Sequence, residues 1–242
     1  MARSNLVAAV AVVACMARPF AQEPSVESLI RNLRSPDPQA MFAAFEELQK
    51  RGPAAAPAVP TLVDLLRRIG WRTSESIAAL DVLSAIGAPA KVALPLLVHF
   101  MVESESGDMF VRSCIEAISA AMGPALVPDA LSATAQEAKR WWNRPGFNGD
   151  PPSMFDVMAL ARTGFGGALM SLGVTALPAL RQGLRDRDQF VQAEAAAWLG
   201  WLGPPAKASL PWLRDARRRT QSTWTRYEID QAVDRIEGRV PQ

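Results

Sequence analysis

The chain has 242 residues, of which 49% are hydrophobic and 21% are charged, and its formal net charge is +2. A composition this apolar excludes an intrinsically disordered protein, and the near balance of charge gives no general attraction to nucleic acid or to an anionic membrane. His99 is the only histidine, which excludes a multi-histidine metal site and a Ser-His-Asp triad with a spare base. We therefore expect a folded protein with no catalytic residue, metal or cofactor.

The first 21 residues have the pattern of a secretion signal. Arg3 gives the N terminus a positive charge, and residues 6–17 form an uninterrupted apolar run that ends at Arg18. This run is too short for a bilayer core, which needs about 20 residues, but it suits the hydrophobic region of a signal. Without residues 1–21 the chain carries equal numbers of basic and acidic residues.

Two interpretations of how this signal is processed stay open. Residues 12–15, Val-Val-Ala-Cys, resemble a bacterial lipobox, which would leave Cys15 as a lipidated N terminus. Residues 15–17 and 19–21 are candidate cleavage sites for ordinary secretion, which is the favoured interpretation. Both interpretations predict an extracytoplasmic protein, either secreted, periplasmic or lipid-anchored, with no transmembrane span.

Five glycines recur along the rest of the chain, each followed by small residues, a proline and a leucine. They are Gly52, Gly87, Gly123, Gly173 and Gly203, at intervals of 35, 36, 50 and 30 residues. A period in the thirties is typical of one helical hairpin per repeat. We expect each glycine to end a first helix with a positive φ, and the proline to open a second helix.

The apolar spacing predicts which segments are helical. The first helices of the hairpins are expected at residues 40–48, 76–86, 110–122, 159–172 and 190–202. A final helix is expected at 222–238, because solenoids need a cap with a polar outer face. The sequence therefore predicts an all-α fold: a right-handed α-solenoid of about five hairpins over residues 22–221, with a capping helix and tail at 222–242.

Residues 188–206 carry a family resemblance. They read Asp-Gln-Phe-Val-Gln-Ala-Glu-Ala-Ala-Ala-Trp-Leu-Gly-Trp-Leu-Gly-Pro-Pro-Ala, which resembles the HEAT-repeat superfamily and, within it, short bacterial repeats similar to those of phycobilisome lyase subunits. The resemblance extends over most of residues 25–220 and implies a solenoid. That superfamily includes scaffolds, lyase-like chromophore handlers, nucleic-acid binders and a metal-dependent hydroxylase, whose His-Glu pairs this sequence lacks.

Aligning the second helices on their prolines places four arginines at equivalent positions. They are Arg181, Arg185, Arg214 and Arg218. We expect them to cluster on the concave surface, where guanidinium groups suit carboxylate or phosphate ligands. The alternative is a solvated face whose charge is partly neutralised by Asp186, Asp188 and Asp215.

The 50-residue interval contains an insertion near 139–152 that is rich in proline and glycine and is predicted to be an exposed loop. Trp141, Trp142 and Arg144 in this loop are candidate contact anchors for a partner. The alternative is that one tryptophan folds back over the gap between repeats.

Three further patterns are assigned to packing. Cys114 lies at core spacing and is predicted to be a buried, inert thiol. The glycines of residues 163–167 lack the lysine of a phosphate-binding loop, which favours a helix bend or close packing. The remaining C-terminal tryptophans are assigned mostly to packing of the last repeat against its cap: Trp198, Trp201, Trp212 and Trp224.

We therefore expect a non-enzymatic extracytoplasmic scaffold or adaptor that binds a protein partner on the concave face of the solenoid. One alternative is an accessory or lyase-like subunit that holds a ligand or chromophore. A nucleic-acid-binding HEAT protein is a further alternative, which the signal and the zero net charge of residues 22–242 both oppose.

Overall fold

The computed structural model describes residues 23–104, 108–147 and 151–239, and over these ranges the chain is helical and contains no strand. The predicted signal at residues 1–21, including Cys15, lies outside the described residues. In chain order the α-helices are α1 (Val26–Asn32), α2 (Pro38–Arg51), α3 (Val59–Ile69), α4 (Ser74–Ile86), α5 (Leu94–Glu103), α6 (Met109–Met122), α7 (Leu126–Trp142), α8 (Pro151–Leu172), α9 (Leu177–Gly183), α10 (Gln189–Leu202), α11 (Leu210–Arg219) and α12 (Thr223–Ile236). The predicted all-α class and the helical segments are confirmed.

The five recurring glycines end α2, α4, α6, α8 and α10, as predicted, and all five have φ between 50° and 70°. Gly87 shows why no larger residue fits well there. Its φ is 70°, and a Cβ atom at this position would lie 3.1 Å from the Cβ atom of Ala121 in α6. Backbone conformation and close packing therefore both favour glycine.

A short 3-10 segment connects these glycines to the second helices, a feature that the sequence pattern did not predict. These segments are Gly52–Ala58, Ala88–Ala93, Gly123–Ala125, Gly173–Ala176 and Pro204–Ser209. The prolines then stand in the first turn of the next helix, for example Pro95 in α5 and Pro211 in α11. Proline is tolerated in a first turn because the N–H group that it lacks has no intrahelical acceptor there.

The helices that end at the recurring glycines pack side by side, α2 on α4, α4 on α6 and α6 on α8. Among the helices that follow the 3-10 segments, α5 packs on α7 and α7 packs on α9, while α7 also contacts α8 and α10. One hydrophobic core follows these contacts from Leu29 in α1 to Ile236 in α12. The helices therefore share a continuous interior.

The packing distance changes where the chain passes from α8 to α10 and then to α12. Large rings separate α8 from α10, with the centroids of Phe165 and Trp198 5.9 Å apart. In contrast, α10 and α12 approach so closely that a Cβ atom on Gly200 would lie 2.9 Å from the Cα atom of Ala232. Helix α12 is thus packed tightly on the last hairpin, where the sequence predicts a terminal helix.

Two assignments to packing are confirmed. Cys114 is buried, and burial raises the pKa of its thiol to about 12, so that the reactive thiolate is suppressed. Residues 163–167 lie inside α8, and a Cβ atom on Gly164 would come within 2.8 Å of Ile115 in α6. Gly164 therefore permits close contact between α8 and α6.

Two helical stretches are long and apolar enough to cross a membrane by length and composition, Met109–Trp142 and Met158–Gly183. Buried helices of soluble proteins meet the same test. Each stretch contains one of the recurring glycines with a positive φ, Gly123 or Gly173.

Candidate functional site

Two arginines near the end of α9 share the indole ring of Trp212 in α11. The guanidinium carbon of Arg185 lies 4.1 Å from the ring centroid, and that of Arg181 lies 6.0 Å from it. The face of an indole ring carries a partial negative charge that attracts cations. We call Arg181, Arg185 and Trp212 the arginine–tryptophan site.

Local structure sets the position of both arginines. The Nε atom of Arg181 donates a hydrogen bond to the Oγ atom of Ser209 at 2.9 Å, which fixes its half-buried side chain. Gly183 brings the end of α9 against the core, since a Cβ atom there would lie 2.8 Å from Leu131. Arg185 follows in a hydrogen-bonded turn and remains exposed.

A surface cavity of about 190 Å³ adjoins this site and is lined by Arg185, Pro211, Trp212 and Asp215. Because one water molecule occupies about 30 Å³ of liquid, the cavity has room for a polar side chain. A ligand in this cavity would contact the guanidinium group of Arg185, the indole ring of Trp212 and the carboxylate of Asp215.

Asp186 and Asp188, which the sequence suggests as neutralising acids, have other partners. The Oδ1 atom of Asp186 accepts the backbone N–H of Asp188 at 2.8 Å. Asp188 caps α10 by accepting the backbone N–H of Phe190 at 3.0 Å, and it also pairs with Lys139. Both carboxylates are therefore used in the turn before α10.

Asp215 also has hydrogen-bond partners other than Arg181 and Arg185. Its carboxylate accepts hydrogen bonds from Arg219 at 3.0 Å and from Arg218 at 3.2 Å, and the bond from Arg219 lowers the pKa of Asp215. Within the part of the chain that the structure describes, no acidic side chain pairs with Arg181 or Arg185.

The four predicted arginines therefore have different surroundings. Arg214 donates to Glu237 at 2.8 Å and Arg218 donates to Asp215 at 3.2 Å, so each of these two has an acidic partner. The interpretation as a neutralised, solvated face describes Arg214 and Arg218. Arg181 and Arg185 instead share an indole ring and keep an unbalanced positive charge.

The predicted loop at 139–152 is shorter than expected, which corrects the placement of two tryptophans. Helix α7 continues through Trp142 and α8 begins at Pro151, so Trp141 and Trp142 belong to the last turn of a helix. Lys139 and Arg140 favour this extension because cations stabilise the C-terminal end of a helix dipole.

The two tryptophans of α7 have different roles. Trp142 packs edge-on against Phe190 of α10 with the ring centroids 5.9 Å apart, so it covers the space between α7 and α10, in line with the interpretation that one tryptophan folds back. Trp141 instead supports the guanidinium group of Arg144 at 4.3 Å. We call Trp141 and Arg144 the α7 arginine–tryptophan pair.

A second surface cavity, of about 160 Å³, lies beside this pair and is lined by Glu103, Arg140, Trp141 and Arg144. Arg140 is engaged, because its Nη1 atom donates to the buried Glu137 at 2.9 Å. The other carboxylate oxygen of Glu137 lies 3.3 Å from the Nδ1 atom of His99. Arg144 and Glu103 are therefore the remaining charged residues in the lining of this cavity.

A charged cluster that the sequence pattern did not predict lies in the interior. Arg162 of α8, Glu194 of α10 and Glu228 of α12 have side chains that are 0% exposed. Arg162 donates to Glu194 through Nε at 2.9 Å and through Nη2 at 2.6 Å, and its Nη2 atom also donates to Glu228 at 2.7 Å. We call these three residues the buried triad, which ties three helices together.

The buried triad contains one cation for two carboxylates. The Nη1 atom of Arg162 and the Oε2 atom of Glu228 are buried without a hydrogen-bond partner among the described residues. Removal from water raises the pKa of Glu228 to about 7, although Arg162 opposes this shift. Because none of its atoms reaches solvent, we assign the triad to the framework of the fold.

A signal for the triad was present in the sequence. Glu194 stands between Phe190 and Trp198 at four-residue spacing, on the same buried stripe of α10. Arg162 is likewise followed by the buried Phe165 three residues later. A charged residue on an apolar stripe predicts a buried partner of opposite charge.

Among the described residues, no group of three or more histidine, cysteine, aspartate or glutamate side chains is arranged to hold a metal ion. In comparisons with known proteins, no family model matches this chain and no curated protein matches it at a significant level.

Proposed function

We propose that this chain is an adaptor that binds a protein partner through the arginine–tryptophan site. The observation that carries the proposal is that Arg181 and Arg185 share one indole ring while the neighbouring acids are bonded elsewhere. Arginine and tryptophan are enriched among the residues that dominate binding energy at protein interfaces. The adaptor has no catalytic role.

The architecture of this adaptor is a HEAT-like, right-handed α-solenoid of about five hairpins, capped by α12. The side-by-side contacts of α2, α4, α6 and α8 support this arrangement, as do those of α5, α7 and α9. In this proposal the second helices, including α9 and α11, line the concave face, which is the usual binding surface of solenoids. The extracytoplasmic location rests on the sequence pattern of residues 1–21.

Cross-linked capture of the partner from a cell-envelope fraction tests this function. The double variant Arg181→Glu/Arg185→Glu should lose the captured protein, because it reverses both unbalanced charges. The matched control, Arg214→Glu/Arg217→Glu, changes the same number of charges at arginines that already have acidic partners, Glu237 and Asp230, outside this cavity. It should retain capture, and both variants should keep the helical circular dichroism spectrum.

Two results would contradict the proposal. Capture that is unchanged in Arg181→Glu/Arg185→Glu would remove this site from the interface. Equal loss in the two double variants would show that net charge, and not the arginine–tryptophan site, governs binding.

A second candidate function is an accessory or lyase-like subunit that holds a small ligand. It is favoured by a cavity of about 700 Å³ near α1, α2 and α3, whose lining includes Arg34, Met41, Thr61 and Arg68. This volume falls within the range of small-molecule sites. Mass spectrometry of the purified native protein should reveal a stoichiometric bound molecule if this function is correct, and its release should follow Arg68→Glu.

A further inference from the structure

We propose that the arginine–tryptophan site recognises two carboxylates at alternate positions of an extended acidic segment in the partner. This inference rests on the proposed adaptor function and specifies the chemistry of the same site. It follows from the donors that Arg181 and Arg185 leave available, from the distance between their guanidinium groups, and from the local excess of positive charge.

The available donors come from both guanidinium groups. Trp212 covers one side of the Arg185 group at 4.1 Å, but an aromatic ring face takes none of the hydrogen bonds that lie in the guanidinium plane. Arg181 uses its Nε atom on Ser209, and its two terminal nitrogens have no acceptor among the described side chains. Each arginine can therefore offer paired N–H groups to one carboxylate.

The distance between Arg181 and Arg185 limits which ligands can contact both. The guanidinium carbons of Arg181 and Arg185 lie 6.0 Å and 4.1 Å from the same indole centroid, so they are no more than about 10 Å apart. In an extended peptide, alternate side chains point to the same side and are separated by about 6.5 Å, which is twice the rise per residue. Two acidic residues with one residue between them would thus meet Arg181 and Arg185 together.

Local charge favours an acidic ligand over a basic one. Asp215 faces the same cavity, but its single negative charge is outweighed by the two arginines that it bonds, Arg218 and Arg219. Arg181 and Arg185, which lie on Trp212, have no acidic partner among the described residues. Each of the two guanidinium groups can pair with one carboxylate through parallel N–H donors, so we take two acidic side chains as the occupant; a single phosphate shared by both groups is the competing occupant that the phosphoserine probe tests.

Fluorescence anisotropy with labelled peptides and the full chain tests this inference. The main probe carries Glu-Gly-Glu within a glycine–serine peptide, and matched probes carry Gln-Gly-Gln, adjacent Glu-Glu, or one phosphoserine. We expect the Glu-Gly-Glu probe to bind at least tenfold more tightly than the Gln-Gly-Gln probe and more tightly than the other two. Its affinity should fall as salt concentration rises.

Single variants identify the residues that bind the probe. Arg185→Gln and Arg181→Gln should each weaken Glu-Gly-Glu binding about tenfold, the loss of one charge-assisted hydrogen-bonded pair. The matched variants Arg214→Gln and Arg218→Gln should bind within about twofold of the unmodified chain, because these arginines already have acidic partners.

Several outcomes would overturn the inference: equal binding of the Gln-Gly-Gln probe, tighter binding of the phosphoserine probe, or unchanged affinity in Arg185→Gln. If the peptides fail while partner capture still depends on Arg181 and Arg185, only the assigned carboxylate chemistry is wrong. If capture also becomes independent of these arginines, the adaptor surface itself is wrong.

Discussion

Arg162 in the interior and Arg185 on the surface occupy opposite charge environments. Arg162 is enclosed and faces two carboxylates, from Glu194 and Glu228. Arg185 is exposed, lies on Trp212 and faces a carboxylate that other arginines already hold. The interior region has an excess of negative groups, whereas the surface region has an excess of positive ones.

This difference separates a role in folding from a role in binding. A buried charge must find its partners within the fold, because no water can solvate it. An exposed guanidinium group is solvated in the free protein and can exchange that water for a ligand. We therefore expect changes at Arg162 to alter stability and changes at Arg181 and Arg185 to alter binding.

The largest expected effect comes from Arg162→Ala. The substitution leaves two carboxylates buried without a cation, and breaking a buried ion pair in this way costs about 3–5 kcal/mol. Urea unfolding followed by circular dichroism should show this loss. As a control, Arg217→Ala removes an exposed pair with Asp230 and should cost less than about 1 kcal/mol. Equal losses would contradict the assignment of Arg162 to the framework.

The second expected effect is a dependence of stability on pH. The pKa of Glu228 rises from 4.5 to about 7 on folding because the carboxyl group is removed from water, while Arg162, Glu194 and Arg235 also act on it. A raised pKa means that the folded state holds the proton more tightly. The stabilisation is therefore complete below pH 4.5 and is lost as pH rises through 7.

We expect the free energy of unfolding to fall by about 2 kcal/mol between pH 5 and pH 8 through this group. Glu228→Gln removes the titrating proton and should flatten that part of the profile, measured by urea unfolding at each pH. A profile of equal slope in the variant would show that Glu228 stays ionised in the folded protein.

A third test concerns close packing between α10 and α12, two of the helices that the buried triad connects. Gly200→Ala places a Cβ atom 2.9 Å from the Cα atom of Ala232, so α10 and α12 must move apart. We expect a loss of about 1.5 kcal/mol in thermal or urea unfolding. Gly167→Ala in α8 is the matched control, because a Cβ atom there has no neighbour within 4 Å. It should leave stability unchanged or increase it by up to about 1 kcal/mol.

The smallest expected effect on stability is that of Arg185→Ala. An exposed contact between a guanidinium group and an indole ring contributes about 0.5–1 kcal/mol, so the unfolding midpoint should move little. A loss as large as that of Arg162→Ala would erase the contrast between the two arginines. It would place Arg185 in the framework of the fold.

The sequence predicted the helical class because the residues at helix ends act locally. A recurring glycine with a positive φ, followed within a few residues by a proline, stops one helix and starts the next whatever the neighbours are. Cys114 and the terminal helix were likewise readable from apolar spacing. The 3-10 segments were not, since their few residues carry no apolar periodicity that distinguishes them from a turn.

The candidate site was only partly predictable. Arg181 and Arg185 were found by aligning the prolines, but nothing local distinguished them from Arg214 and Arg218. The two pairs differ because Glu237 bonds Arg214 and Asp215 bonds Arg218. Neither carboxylate bonds Arg181 or Arg185. The end of α7 was misjudged because the Pro/Gly-rich residues after Trp142 masked the helical character of 139–142.

By itself, the sequence determined the all-helical class, the ends of the helices that stop at the recurring glycines and the apolar faces of those helices. Only the tertiary structure decided which charges neutralise one another. Arg162 meets Glu194 and Glu228 across 32 and 66 residues, and Trp212 meets Arg185 from a different hairpin. Side-chain pairing depends on distances between helices, whereas helix termination depends on the backbone of neighbouring residues.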